Sequence, residues 1–184
     1  MGTFIQDAGI LMETSIKSQT PIIGANRTRK SGDLQVVEFI LGTKLFAINL
    51  FDTKEVINQP DITPLPDAPQ YIRGIIDLRG VITTIVDLKN LMNITADATE
   101  DHKSRVIILD SAISRKVIGV LVDDVQSVST YSEDNVNRDE GEGSGARTRL
   151  GIIRKSGKDG EKEGSELVIL VDIEGIVRRI ESSL

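Results

Sequence analysis

The stretch Arg73-Gly74-Ile75-Ile76-Asp77-Leu78-Arg79-Gly80-Val81-Ile82-Thr83-Thr84-Ile85-Val86-Asp87-Leu88 decides how the rest of the chain is read. Two short apolar runs, Ile75-Ile76 and Val81-Ile82, flank a Leu78-Arg79-Gly80 corner. That pattern predicts a β-hairpin in which Gly80 is free to take a positive φ. Ile85-Val86 continues the second strand, and Asp87 is placed to cap a short helix over residues 88–92. Gly74 and Gly80 are expected to shape the corner and the flanking aliphatics to anchor it. Arg79 is the odd residue, a long cation at the tip of an otherwise apolar unit.

Working outward, residues 1–33 read as a flexible N-terminal extension, its apolar residues irregularly spaced and its second half rich in Pro21, Gly24 and Gly32. Order is expected from Leu34. Val37, Phe39 and Leu41 alternate with Val36, Glu38 and Ile40, a strand with one dominant inner face. Gly42-Thr43 turns the chain and residues 45–50 return as a second strand. Asp52 is then expected to cap one helical turn over residues 53–57. Pro60, Pro64, Pro66 and Pro69 make the next stretch extended loop and edge strand, since proline lacks the N–H that a helix or inner strand requires.

Beyond the hairpin, the polar residues 94–104 mark a boundary. Residues 106–109 and 117–122 then repeat a strand–turn–strand plan loosely like that of the opening, with Val125, Val128 and Tyr131 following at an edge. Residues 140–148 form a low-complexity loop, and 150–153 with 167–171 read as a hairpin with a long mobile tip. Asp172 is placed to cap a last helix over about 173–181, with Ile173, Ile176, Val177 and Ile180 at helical spacing. Arg178 and Arg179 near its end suit the helix dipole.

Composition removes whole classes of function. The chain has 184 residues, a formal net charge of −6, no cysteine and a single histidine, His102, in a charged stretch. Thiolate metal sites and cysteine nucleophiles are excluded, and no nucleophile motif accompanies His102. An acidic chain without a basic cluster is a poor match for nucleic acid, whose binding relies on Lys and Arg. No apolar run approaches membrane-spanning length. Asp123-Asp124 reads as strand-end polar residues, and the acidic stretches at 135–139 and 159–163 lack the glycine or the final glutamate of a calcium loop. The glycine cluster at 141–145 lacks a following Lys-Ser/Thr. With aromatics at 3% and no Trp, an aromatic peptide groove or base-stacking platform cannot readily form. Catalytic, cofactor and metal sites are therefore expected to be absent.

Lys54-Glu55-Val56-Ile57, then residues 68–80 with Ile85-Val86-Asp87-Leu88, then Ile118 to Val125 and Leu167 to Ile173, resemble the CheW family of chemotaxis coupling proteins. The likeness runs from about Leu34 to the C-terminus. It implies a mainly β fold of two small SH3-like five-stranded barrels with short helices and a C-terminal helix, separated by a hydrophobic groove. Lobe one would span about 34–93 and lobe two about 104–172, with strand exchange between them allowed for, and the helix 173–181. It also implies a stand-alone, non-enzymatic cytoplasmic adaptor. Its partners would be the cytoplasmic tip of a chemoreceptor (methyl-accepting chemotaxis protein) and the regulatory domain of a histidine kinase, at membrane-associated receptor arrays. Carried over by position, Arg79 and Glu55 form the functional pair near the receptor-binding face, Gly74 and Gly80 shape that corner, and Thr53, Gly119 and Val128 match partner-contact positions. Thr84 stands where the family usually has proline, which is expected to free a backbone N–H. The alternative is a small-ligand or peptide-binding β-barrel unrelated to chemotaxis, which requires a closed pocket rather than an open groove.

Overall fold

The computed structural model describes residues 32–95, 104–138, 148–155 and 166–182. The expectations for the N-terminal extension up to residue 31, for His102 and for the loops at 139–147 and 156–165 lie outside the described residues.

The hairpin forms as β4 (Ile72–Leu78) and β5 (Val81–Asp87), and α1 (Leu88–Leu91) follows at once. Asp87 caps α1 by accepting from the Asn90 N–H at 3.0 Å. Before the hairpin come β1 (Asp33–Leu41), β2 (Lys44–Asn49) and β3 (Thr53–Asn58). After it come β6 (Arg105–Leu109), β7 (Ile118–Val122), β8 (Asp124–Ser132), β9 (Val136–Arg138), β10 (Arg149–Lys155), β11 (Glu166–Val171) and the helix α2 (Ile173–Glu181). Asp172 caps α2 through the Gly175 N–H at 2.8 Å.

The helical turn expected over 53–57 is instead a strand. A short 3₁₀ turn occupies Leu50–Asp52, and β3 pairs antiparallel with β6 from Thr53 to Asn58. Lys54 and Glu55 are good helix formers, but the ladder with β6 overrides local preference.

The strands make a six-stranded sheet in the order β8-β1-β2-β11-β10-β9 and a five-stranded sheet in the order β3-β6-β7-β5-β4. The fold is mainly β, as the sequence led us to expect, with β9 as a sixth strand beyond the five-strand plan. Sheet membership does not follow the division into 34–93 and 104–172. The hairpin β1–β2 joins β8, β10 and β11, while β3, β4 and β5 join β6 and β7. Setting β9 aside, the two orders match position for position. In each, an antiparallel hairpin (β1–β2 or β6–β7) is flanked by an antiparallel outer strand (β8 or β3). Its second strand pairs in parallel with a strand of another antiparallel hairpin, β2 with β11 and β7 with β5. A helix follows that strand in each case, α2 after β11 and α1 after β5.

Three apolar clusters hold this arrangement. Val36, Ala47, Ile153, Val168 and Leu170 fill the inside of the six-stranded sheet, and Ile76, Ile85, Val106 and Ile108 fill the five-stranded one. The third and largest draws on both sheets, with Phe39, Ile48, Val86, Ile107 and Val120 packed against Leu88 and Leu91 of α1 and Ile173, Ile176, Val177 and Ile180 of α2. β1 therefore has two buried faces rather than one, since Val36 and Glu38 are as fully enclosed as Val37 and Phe39. Removing this much aliphatic surface from water is what favours the two-sheet unit.

Candidate functional site

The tip of the opening hairpin is a two-residue turn in which both Arg79 and Gly80 have positive φ, 55° and 84°. That is the mirror-image turn favoured by twisted hairpins. Gly80 adopts it freely, whereas an L side chain at such a φ carries strain, of order 1 kcal/mol or more. The sequence pointed to Gly80 alone; the structure adds Arg79. Asp77 steadies the turn, its Oδ1 accepting from the Gly80 N–H at 2.6 Å.

From this turn Arg79 reaches back across the sheet. Its Nη1 and Nη2 donate to Glu55 Oε1 and Oε2 at 3.2 and 3.1 Å, a bidentate pair. Glu55 belongs to β3 and Arg79 to the β4–β5 turn, and β3 and β4 are the two outer strands of the five-stranded sheet. The pair thus links the two outer sides of the five-stranded sheet. The loop after β3 also reaches β4, with Thr63 and Ile75 exchanging N–H···O bonds of 2.9 Å. Gly74 makes that approach fit, because a Cβ there would stand 2.1 Å from the Thr63 carbonyl oxygen.

The side chain of Arg79 remains 77% exposed while that of Glu55 is 15% exposed. A pair so open to water contributes little to stability, about 0–1 kcal/mol. Its consequence is geometric: the carboxylate holds one edge of the guanidinium and leaves the rest pointing into solvent. Val81 and Ile82, next in sequence, are 47% and 62% exposed. They do not anchor the hairpin as the sequence implied. Thr83 and Ile85 point inward instead, and the period-2 phase of β5 turns Ile82 out. An arginine flanked by exposed aliphatics has the composition of a binding hot spot. Val81 and Ile82 were legible as apolar, but their exposure was not.

The other residues singled out from the sequence fall elsewhere. Thr53 opens β3 at a register shift two residues before Glu55, and its Oγ1 is buried with no hydrogen-bond partner among the described residues. Gly119 is buried in β7, where a Cβ would stand 2.7 Å from Val106 Cγ1 and 2.9 Å from Ile85 Cδ1, so it admits close packing inside the five-stranded sheet. Val128 is exposed, but on β8 at the edge of the other sheet. The structure brings together Arg79, Glu55 and Gly80, with Thr53 nearby in sequence. The backbone N–H that Thr84 offers in place of proline is put to use: β5 is an inner strand, and Thr84 N–H donates to the Val117 carbonyl at 3.0 Å.

Between the sheets the space is largely filled by the shared core. What stays open among the described residues is a cleft of about 560 Å³ bounded by Leu41, Lys44, Phe46 and Ile169 on one side and Met92 and Ile94 on the other. Among the described residues no group of three or more His, Asp or Glu side chains could hold a metal ion.

Comparison with known proteins agrees with this architecture. The chemotaxis protein CheW of Thermotoga maritima is 27% identical over 149 residues, covering 80% of this chain and 90% of that protein. A probable chemotaxis protein CheW of Rhizobium etli is 31% identical over 111 residues, 60% of this chain and 69% of that protein. The crystal structure of the scaffolding protein TtCheW from Thermoanaerobacter tengcongensis superposes with a TM-score of 0.62 at 28% identity, covering 76% of this chain and 88% of that one. The family model described as the CheW-like domain matches residues 35–181. The Arg79–Glu55 pair, the hairpin and most of both sheets lie inside that span, and the chain belongs to the CheW-like domain family.

Proposed function

We propose that this chain is a non-enzymatic chemotaxis adaptor that couples the cytoplasmic tip of a chemoreceptor to the regulatory domain of a histidine kinase. The observation that carries the reading is the hairpin tip. A strained turn presents Arg79, a buried-side carboxylate orients it, and Val81 and Ile82 stand exposed beside it. Such a surface suits a helical partner with an apolar stripe and an acidic residue, the aliphatics supplying affinity and the cation register. Family membership and the relatives' names as chemotaxis and scaffolding proteins support the same reading. The adaptor works at the cytoplasmic face of receptor arrays, and among the described residues no helix is long and apolar enough to cross a membrane.

The interiors of both sheets are packed with aliphatic side chains, which favours the adaptor over a barrel that encloses a small ligand. The test is capture of a receptor cytoplasmic fragment and, separately, of a kinase regulatory domain by wild type and by Arg79→Glu. Loss of receptor capture by a variant that still melts cooperatively supports the site. Equal capture by the two proteins removes it.

A further inference from the structure

The chain crosses between its two sheets at two joints that are alike in backbone and opposite in charge. One crossing runs from β2 through the 3₁₀ turn Leu50–Asp52 into β3, the other from β7 through Asp123 into β8. In the matched strand orders β2 answers to β7 and β3 to β8, so Asp52 answers to Asp123. The helices answer likewise. Asp87 and Asp172 each cap a helix by accepting from the N–H three residues on, which sets Lys89 against Glu174.

At the Asp123 joint the contacts of the carboxylate among the described residues are attractive. Lys89 Nζ donates to Asp123 Oδ1 at 2.5 Å, and Asp123 Oδ2 accepts from the Gly42 N–H at 2.6 Å. The Asp123 N–H donates to the Ile40 carbonyl at 3.1 Å. A helix packed on the five-stranded sheet and a turn of the six-stranded sheet therefore close on one carboxylate. At the Asp52 joint the backbone bond runs the other way, from the Asp110 N–H to the Asp52 carbonyl at 2.8 Å. The carboxylates that act on Asp52 all share its sign. Burial first, then Glu174 and Asp172 of α2 and Asp110 of the β6–β7 turn, push the Asp52 carboxyl up to about 6. Arg178 on α2 is engaged with Glu174 at 3.5 Å.

We propose that the Lys89–Asp123–Gly42 joint is the fixed pivot between the two sheets and the Asp52–Glu174 joint the yielding one. The shared core resists separation of the sheets but is non-directional, so it tolerates small sliding. Directional bonds select one arrangement. They are charge-assisted at Asp123, whereas at Asp52 like charges oppose closure in a partly buried place where salt screens weakly. Relative motion of the sheets is concentrated at the N-terminal end of α2. This arrangement does not depend on which partners the chain binds.

Amide hydrogen exchange of the full chain followed by NMR reads each joint separately, because local opening exposes local N–H groups. Gly42 and Asp123 N–H report the first joint, and Asp110 N–H the second. At pH 7.5 the Asp110 N–H is expected to be at least about tenfold less protected than the other two after correction for intrinsic rates. Asp52→Asn and Glu174→Gln should each raise its protection roughly three- to tenfold and leave Gly42 unmoved. Lys89→Met should lower protection at Gly42 and Asp123, and Lys89→Arg should hold it. Equal protection at both joints in the wild type overturns the proposal. So does an Asp110 signal that ignores both Asp52→Asn and Glu174→Gln, or a loss in Lys89→Met that is the same at all three amides.

Discussion

Each sheet joins distant strands through a carboxylate and a cation, and the two pairs live in opposite surroundings. In the six-stranded sheet Glu38 of β1 is fully buried and accepts from Tyr131 Oη, from Ser127 Oγ at 3.1 Å and from Lys155 Nζ at 2.9 Å, tying β1 to β8 and β10. In the five-stranded sheet Glu55 and Arg79 meet at the surface, with most of the guanidinium in water. Burial of the Glu38 carboxyl acts to raise its pKa, but the hydrogen bonds from Tyr131, Lys155, Ser129 and Ser127 outweigh it and hold the group below the ordinary range. Burial and that carboxylate together push the Tyr131 hydroxyl well above the usual phenol range. The same chemistry thus serves cohesion where water is excluded and, in the function proposed above, recognition where it is not. A buried pair cannot be spared and an exposed one is free to find another partner.

The contrast can be broken at its strongest point by Glu38→Ala. Tyr131, Ser127 and Lys155 lose their acceptor together, and urea unfolding should show a loss of about 3 kcal/mol. A loss under about 1 kcal/mol would mean that water replaces the carboxylate and that burial is not what separates the two pairs. The same group predicts an acid limb. Because its folded pKa is lowered, Glu38 contributes stability above its unfolded value of 4.5 that is lost as pH falls through the folded value. Melting temperature in Glu38→Gln should accordingly vary less with pH on the acid side than in the wild type.

Asp52 sharpens the comparison as a half-enclosed carboxylate faced by other carboxylates. Its pKa is raised from 3.8 to about 6, so its neutral form is the favoured one in the fold. The stability that form contributes is complete below 3.8 and lost as pH rises through about 6. Asp52→Asn, which is neutral at every pH, should therefore gain about 1–2 kcal/mol at pH 7.5, discounted for partial exposure, and almost nothing at pH 3.5. Denaturant midpoints at the two pH values measure the difference, and an equal effect at both would remove charge as the cause.

The smallest effects on stability belong to Arg79, where binding should change most. Arg79→Gly relieves the positive-φ strain and loses the exposed pair, so stability should stay within about 1 kcal/mol of wild type while receptor-fragment capture falls. Arg79→Glu should lose capture as well. Normal capture by Arg79→Gly would show that the turn, rather than the guanidinium, is what the partner reads.

Much of this was legible before any coordinates. The hairpin at 73–88, the caps at Asp87 and Asp172 though not the one expected at Asp52, the strand pairs at 37–50 and 106–122 and the C-terminal helix follow from local rules, in which turn residues, capping carboxylates and apolar spacing act within a few positions of one another. Arg79 stood out because a lone cation at an apolar tip is conspicuous in a linear string. Glu38 did not, since nothing local distinguishes a glutamate facing water from one facing Tyr131, ninety-three positions away.

By itself the sequence determined most element types, the two capped helices, the mainly β class and the absence of any thiol chemistry, because each depends on local covalent preference or on composition. Only the tertiary structure decided that β3 is a strand, that Ile82 faces out while Thr83 faces in, and that hairpins from each half complete the other's sheet. The physical reason is common to all of them. Strand pairing, burial and the meeting of Arg79 with Glu55 are contacts between remote positions, and their free energy exists only once the chain has brought those positions together.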